Sequence, residues 1–219
     1  MKHRCGRCAA PARPGPVARR PGEELMPDVP ILETERLVLR DFAADDGPAL
    51  FRIMSDRETN VFLPMFPLER PEEAAALLCA GSVWRGAAAR CWAVCPKSAG
   101  TPVGYVRVAA DASHDLGYAL RREFWGRGFM TEACRAVLGA LRREGTPYVT
   151  ATHDVNNPAS GAVMKKIGMT YCYSYRERWQ PKDIRVIFRM WQMNLDGRDE
   201  RIFRKYWDNA SVRFVEQDV

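Results

Sequence analysis

Apolar and polar positions alternate through Leu37, Val38, Leu39 and Arg40, which predicts a strand within Ile31 to Phe42. Beyond it the spacing becomes helical: Leu50, Ile53 and Met54 share one face, with Asp45 or Asp46 placed to cap the helix. From Ser55 to Pro71 the chain is apolar but irregular, with Val61, Phe62, Leu63, Met65 and Phe66 interrupted by three prolines. Such a loop either lines a site or folds down over the core. Pro71 suits a first helical turn, Glu72 and Glu73 favour its positive end, and Leu77, Leu78 and Trp84 form a stripe for burial. Cys91 to Pro96 and Pro102 to Ala109 read as a hairpin of an antiparallel meander, with Asp115 to Leu120 as the next strand. A helix carrying Ala133, Val137, Leu138 and Leu141 inward then stops at Gly145 and Pro147. Tyr148 to Val155 is a strand. Asn157 and Pro158 open a short helix closed by Gly168, and Met169 to Trp179 with Ile184 to Leu195 form a long hairpin. Arg198 to Trp207 reads as a terminal helix packing through Ile202, Phe203, Tyr206 and Trp207. The order of elements predicts one α/β (α+β) domain over residues 31–196, with a mixed, mainly antiparallel sheet flanked by helices and a helical extension over 197–219.

One stretch stands apart chemically. Trp125-Gly126-Arg127-Gly128-Phe129-Met130-Thr131 runs from a strand through a turn with two glycines directly into the amphipathic helix. Without Cβ atoms the backbone can curl tightly, present consecutive N–H groups and admit a ligand closely. The helix adds its unsatisfied amides and the positive end of its dipole. Arg121, Arg122 and Arg127 surround the turn, so a diphosphate suits it. The alternative is a plain strand-to-helix connection. The stretch lacks the Gly-Lys-Ser/Thr ending of a P-loop and the third glycine of a dinucleotide fingerprint, which argues against both.

Composition narrows the classes. The 219 residues are 47% hydrophobic and 27% charged, enough for one sizeable core. Of the formal charge of +6, about half comes from residues 1–30, which hold six Lys or Arg against three acids. That segment is rich in Arg, Pro, Ala and Gly and reads as a disordered basic tail, with Met26 as an alternative start. The body is only mildly basic, which argues against specific nucleic-acid binding and permits an anionic cofactor. Of the seven cysteines, Cys79, Cys91, Cys95, Cys134 and Cys172 lie in apolar segments and read as reduced core thiols, and the odd count with scattered spacing points to the cytoplasm. Cys5 and Cys8 with His3 lack the second ligand pair of a structural zinc site, so no metal is expected. No apolar run is long enough to span a bilayer.

Taken together, the motifs resemble the GNAT superfamily of N-acetyltransferases over about Ile31 to Leu195, in the branch of ribosomal-protein N-terminal acetyltransferases. Three stretches carry the resemblance: Ile31-Leu32-Glu33-Thr34-Glu35-Arg36-Leu37-Val38-Leu39-Arg40; Leu116-Gly117-Tyr118-Ala119-Leu120 with Trp125 to Ala133; and Asn157-Pro158-Ala159-Ser160 with Lys166-Ile167-Gly168-Met169. Glu123 stands where the superfamily usually has Gln or Arg, and is expected to point away from the diphosphate. Met164 stands where many relatives carry a Tyr as general acid.

The resemblance implies transfer of acetyl from acetyl-CoA to a primary amine, a protein N-terminus or a small molecule, in a ternary complex. It also implies a pantetheine arm in a gap between the strands at Leu116 to Leu120 and Tyr148 to Val155. Backbone amides at Tyr118, Ala119 and Leu120 then bond the arm and its thioester oxygen. Asn157 has two readings: a helix cap alone, or a cap that also bonds the pantetheine arm as the matching Asn does in the resembling family. For deprotonating the amine, Asp115, His114, His153 and Asp154 are the candidates, with Asp115 favoured; Ser160, or water, is left to protonate the thiolate. An aminoglycoside-like antibiotic acetyltransferase and a non-catalytic acyl-CoA-binding module are the alternatives. The sequence leaves open whether the chain forms a homodimer.

Overall fold

The computed structural model describes residues 29–80 and 89–219. The tail, with Cys5 and Cys8, and Trp84 lie outside the described residues, as does the side chain of Cys79. Val29, at the end of the expected tail, is buried in the core, and the Pro30 carbonyl accepts a hydrogen bond from Trp92 Nε1 at 3.0 Å.

In chain order the elements are β1 (Leu32–Glu33), β2 (Leu37–Arg40), α1 (Gly47–Met54), α2 (Arg57–Asn60), α3 (Pro71–Ala80), β3 (Ala89–Pro96), β4 (Gly104–Ala109) and β5 (Leu116–Leu120). Then come α4 (Phe129–Arg143), β6 (Tyr148–Asp154), α5 (Pro158–Ile167), β7 (Thr170–Trp179), β8 (Ile184–Asn194), α6 (Lys205–Asn209) and β9 (Arg213–Phe214). The strands form two antiparallel sheets, β1-β2-β3-β4-β5 and β6-β8-β7-β9. Among the described residues one parallel bridge, Asp115 to Thr150, joins them.

Strand alternation sends two sets of side chains to opposite faces of the first sheet. Leu37, Leu39, Trp92, Val94, Val106 and Leu116 meet Ala133, Val137 and Leu141 of α4 and Met164 and Ile167 of α5 in the main core. On the other face Cys91, Tyr105 and Ala119 pack against Leu50, Ile53 and Met54 of α1 and Ala74 of α3. The apolar loop after α2 adds Leu63 to that second cluster. Cys91, Cys95 and Cys134 are buried and reduced.

The structure departs from the sequence reading in two places. Asp46 stands at the N-cap of α1 without capping it. Its carboxylate is taken by Arg40, at 2.6 Å and 3.1 Å, and by the Ala43 N–H at 2.8 Å. The C-terminal segment is helical only over α6 and then forms β9 on the edge of β7. A helix from Arg198 is prevented because β8 side chains bind its backbone. Gln192 Nε2 donates to the Arg201 carbonyl at 2.7 Å, and Gln192 Oε1 accepts from the Phe203 N–H at 2.7 Å. Phe203, Tyr206 and Trp207 pack on Tyr173, Tyr175, Val186 and Phe188 of the hairpin, whereas Ile202 is exposed.

Candidate active site

Beyond the Asp115 to Thr150 bridge the two sheets diverge, and a cleft of about 860 Å³ opens between β5 and β6. The Ala109 N–H donates to the Asp115 carbonyl at 3.0 Å and the Arg121 N–H to the Val103 carbonyl at 2.8 Å. By antiparallel alternation, Gly117 and Ala119 spend their backbone groups on β4, while those of Leu116, Tyr118 and Leu120 face the gap. Of the three amides expected to meet an extended ligand, Tyr118 and Leu120 are therefore turned to it; Ala119 lines the cleft with its backbone bonded elsewhere. The Leu120 carbonyl already accepts from Trp125 Nε1 at 2.6 Å.

The glycine turn closes one end of this cleft. Gly126 and Gly128 have φ of +71° and +78°, which L side chains rarely adopt. No atom lies within 4 Å of where a Gly126 Cβ would be, so a side chain there would project into open space. Trp125, Gly126, Gly128, Met130 and Thr131 line the cleft, with the first amides of α4 at its end. Arg127 and Phe129 do not line it. The Arg127 guanidinium lies 5.4 Å and 4.9 Å from the ring centroids of Phe124 and Phe129, and the Phe129 side chain is buried core. Arg121 pairs with Glu123 and Arg122 with Glu58 at 2.5 Å, so Glu123 is turned onto its own arginine.

The start of α4 is fixed by Glu132. Its carboxylate accepts from Thr34 Oγ1 at 2.5 Å, the Arg36 N–H at 3.0 Å and Arg36 Nε at 2.7 Å. Burial alone would raise this carboxyl, but the hydrogen bonds from Thr34 and Arg36 outweigh it and hold the group below its ordinary range.

Midway along the cleft, α5 faces β5. Asn157 caps α5 by accepting from the Ser160 N–H at 3.2 Å. The Tyr118 hydroxyl donates to the Ser160 carbonyl at 2.9 Å and lies 3.0 Å from Ser160 Oγ. Burial pushes the Tyr118 phenol far up, so it stays protonated. Met164 is buried in the main core and brings no proton to this wall.

Asp115 sits where the sheets join. Arg107 lies 3.6 Å from one carboxylate oxygen, and the other, Oδ1, is buried without a hydrogen-bond partner among the described residues. Burial pushes its pKa up to about 6, with Arg107 opposing the rise and Asp111 adding to it. His153 is buried, its Nδ1 2.8 Å from the Asp154 carbonyl and its Nε2 unpartnered among the described residues. Burial lowers its pKa, so it is neutral at pH 7. A Cβ on Gly161 would meet that Nε2 at 2.8 Å, so the glycine is needed for α5 to pack here. Asp154 accepts from the Asn156 N–H at 2.8 Å, a turn-capping role, and His114 packs edge-on against Tyr148 away from the cleft.

Sequence reasoning missed the far wall. Tyr175, Glu177 and Trp179 of β7, Phe188 of β8 and Tyr206 of α6 all line the same cleft as Asp115 and Arg107. The i, i+2 spacing of Tyr173, Tyr175, Glu177 and Trp179 was the available signal, since it puts them on one face of a strand.

The sequence profile of the acetyltransferase (GNAT) domain matches residues 36–170. The chain is 25% identical over 145 residues to the uncharacterized N-acetyltransferase YoaA of Bacillus subtilis (strain 168), covering 64% of this chain and 82% of that one. Among solved structures it is similar to a GNAT-family acetyltransferase from Bacillus anthracis, with a TM-score of 0.66, 18% identity and coverage of 76% and 99%. It is also similar to RimL, a ribosomal L7/L12 alpha-N-protein acetyltransferase in complex with coenzyme A, with a TM-score of 0.64, 20% identity and coverage of 76% and 99%.

Proposed function

The chain belongs to the GNAT acetyltransferase family, and from that premise we propose that it moves the acetyl group of acetyl-CoA directly onto a primary amine bound beside Asp115. One observation carries the reading. The glycine turn, the unpaired edge of β5 and a half-buried carboxylate of raised pKa stand in sequence along one cleft.

The residues fit such a ligand in order. The amides of Gly126, Gly128 and the first turn of α4 hold the diphosphate, with Trp125, Met130 and Thr131 around it. The β5 edge from Leu120 to Leu116 holds the extended arm through the free amides of Leu120 and Tyr118, with Asn157 opposite. Acetyl-CoA supplies an activated acyl carbon whose leaving group is a thiolate.

Asp115 takes one proton from the incoming ammonium, so that the neutral nitrogen can attack. At a pKa of about 6 it is ionised at neutral pH and about two units more basic than an ordinary aspartate. An N–H of β5 directed into the gap stabilises the oxyanion that forms on attack. As the C–S bond breaks, Ser160 Oγ–H donates a hydrogen bond to the departing sulfur while the Tyr118 hydroxyl holds the Ser160 carbonyl. A serine hydroxyl is far too weak an acid to remain an alkoxide, so the proton that ends on sulfur originates on the attacking nitrogen and passes through Ser160 or water. Titrating the protein calorimetrically with acetyl-CoA, then following thiol release against peptides and small amines, tests this reading. Binding with release supports it; no binding refutes it. Met164 in the core, where a proton donor would stand, favours a second reading as an acyl-CoA-binding module, for which binding occurs without release on any amine.

A further inference from the structure

The far wall of the cleft lies outside the residues matched to the family, so family membership says nothing of what it recognises. Resting on the acetyl-transfer reading above, we propose that the acceptor is a singly charged primary amine on an aromatic or aliphatic skeleton, held between Asp115 and a wall of rings from the β7–β8 hairpin and the C-terminal extension.

The rings form a continuous surface. Tyr175 and Tyr206 stack at 5.4 Å with 11° between their planes, Tyr175 lies 5.7 Å from Phe188, and Trp179 meets Phe188 edge-on at 5.3 Å. Phe62 and Met65, from the loop after α2, line the same cleft. Tyr175 is buried and Tyr206 half-buried, and burial pushes both phenols far up, so they bring no charge to this wall. What such a wall offers is apolar area and the negative faces of its rings, which suit a hydrophobic body carrying one cation.

Charge points the same way. Four carboxylates line the cleft: Asp115 lies beside Arg107, Glu58 is tied to Arg122, Asp154 accepts from the Asn156 N–H and Nδ2, and Glu177 stands with the rings, which leaves Asp115 and Glu177 to meet a cation. That is enough for one ammonium and too little for a polycation. A polyhydroxylated amine, or the successive amides of a peptide, would bring polar groups against these rings, and each group left buried and unpaired weakens binding.

The transfer balances on these residues. The ammonium gives one proton to Asp115, C–N forms as C–S breaks, and the second proton passes from nitrogen to the coenzyme sulfur. The products are an amide and a free thiol, and Asp115 returns its proton to solvent.

The test is kcat/KM for phenethylamine, propylamine, kanamycin and a serine-initiated peptide, with acetyl-CoA binding measured separately by calorimetry. Phenethylamine is expected to exceed propylamine at least tenfold, as burial of a ring requires, and to exceed kanamycin and the peptide. In Trp179→Ala and Tyr206→Ala, checked for native fold by circular dichroism, the phenethylamine-to-propylamine ratio should fall several-fold, and phenethylamine affinity, read calorimetrically, should weaken with it. Higher kcat/KM for kanamycin or the peptide, or a ratio unmoved in both variants, overturns the acceptor assignment while leaving acetyl transfer standing. Failure to bind acetyl-CoA, or binding with no transfer to any of the four, overturns both.

Discussion

Replacing Asp115 with asparagine should stabilise the protein and inactivate it, with both effects dependent on pH. Burial lifts this carboxyl from an ordinary 3.8 to about 6 even though Arg107 is 3.6 Å away. A rise of about two units corresponds to about 3 kcal/mol of destabilisation when the group is ionised in the fold, at about 1.4 kcal/mol per unit. The sign follows from linkage. A carboxyl whose folded pKa is raised costs nothing below about pH 4, where it is protonated in both states, and its full penalty appears above about pH 6. Asp115→Asn should therefore melt with wild type at pH 4 and above it at pH 8. For a chain of this size the gap should reach about 6 to 12 °C. The same substitution removes the base, so kcat/KM should fall and the acid limb near pH 6 should disappear from its pH profile. Scanning calorimetry at both pH values, with initial rates across the range, checks the two halves together. A variant that is no more stable at pH 8 than wild type would show that the carboxylate is not desolvated; unchanged kcat/KM with the same acid limb would show that the base is elsewhere.

Other substitutions probe other parts. Gly126→Val forces a β-branched residue to a φ of +71° and projects a side chain into the open space at the turn, so acetyl-CoA affinity should drop about tenfold or more; unchanged calorimetric affinity would remove the turn from the diphosphate site. Ser160→Ala should lower kcat about tenfold, the loss of one hydrogen bond to a charged group, with little change in acetyl-CoA affinity; an unaltered rate would leave water as the donor. Glu216→Ala strips the partner from Arg189, to which it is paired at 2.5 Å, and should destabilise the fold by about 1 to 3 kcal/mol. The hydrogen bond from Arg189 is the main cause of the lowered Glu216 pKa, so that contribution is present at neutral pH and lost as pH falls through the folded value. The gap in melting temperature between wild type and Glu216→Ala should thus close in acid, opposite in sense to Asp115→Asn.

The parts of the site legible in the sequence were those made of backbone. Gly126 and Gly128 announce a turn that only glycine can make, Asn157 and Pro158 announce a helix start, and the period-2 run before them announces β5. Each is a local signal. What escaped depends on pairings far apart in the chain. Tyr206 reaches Asp115 only because Gln192 holds the segment before α6 out of a helix and β9 then pairs with β7. Glu132 has the position of any first-turn acid, and its bonds to Thr34 and Arg36 bridge 98 and 96 positions of chain. Arg107, Glu177 and Trp179 belong to no motif, and the alternation that puts them on the cleft face also fits plain strand residues. The expected roles of Arg121 and Arg122 at the diphosphate met a similar limit, because Glu58 and Glu123, which pair with them, could not be placed from the sequence.

The order in which the cleft is laid down has a consequence during synthesis. The glycine turn, the open edge of β5 and the start of α5 are all present once the chain has grown to Ile167, whereas the ring wall needs β7, β8 and Tyr206. Because β6 pairs with β8 rather than with its neighbour in sequence, the second sheet cannot close until that later strand arrives. A nascent chain emerging from the ribosome thus acquires the glycine-turn half of the cleft, proposed above to hold the coenzyme, before the ring wall proposed to choose an amine.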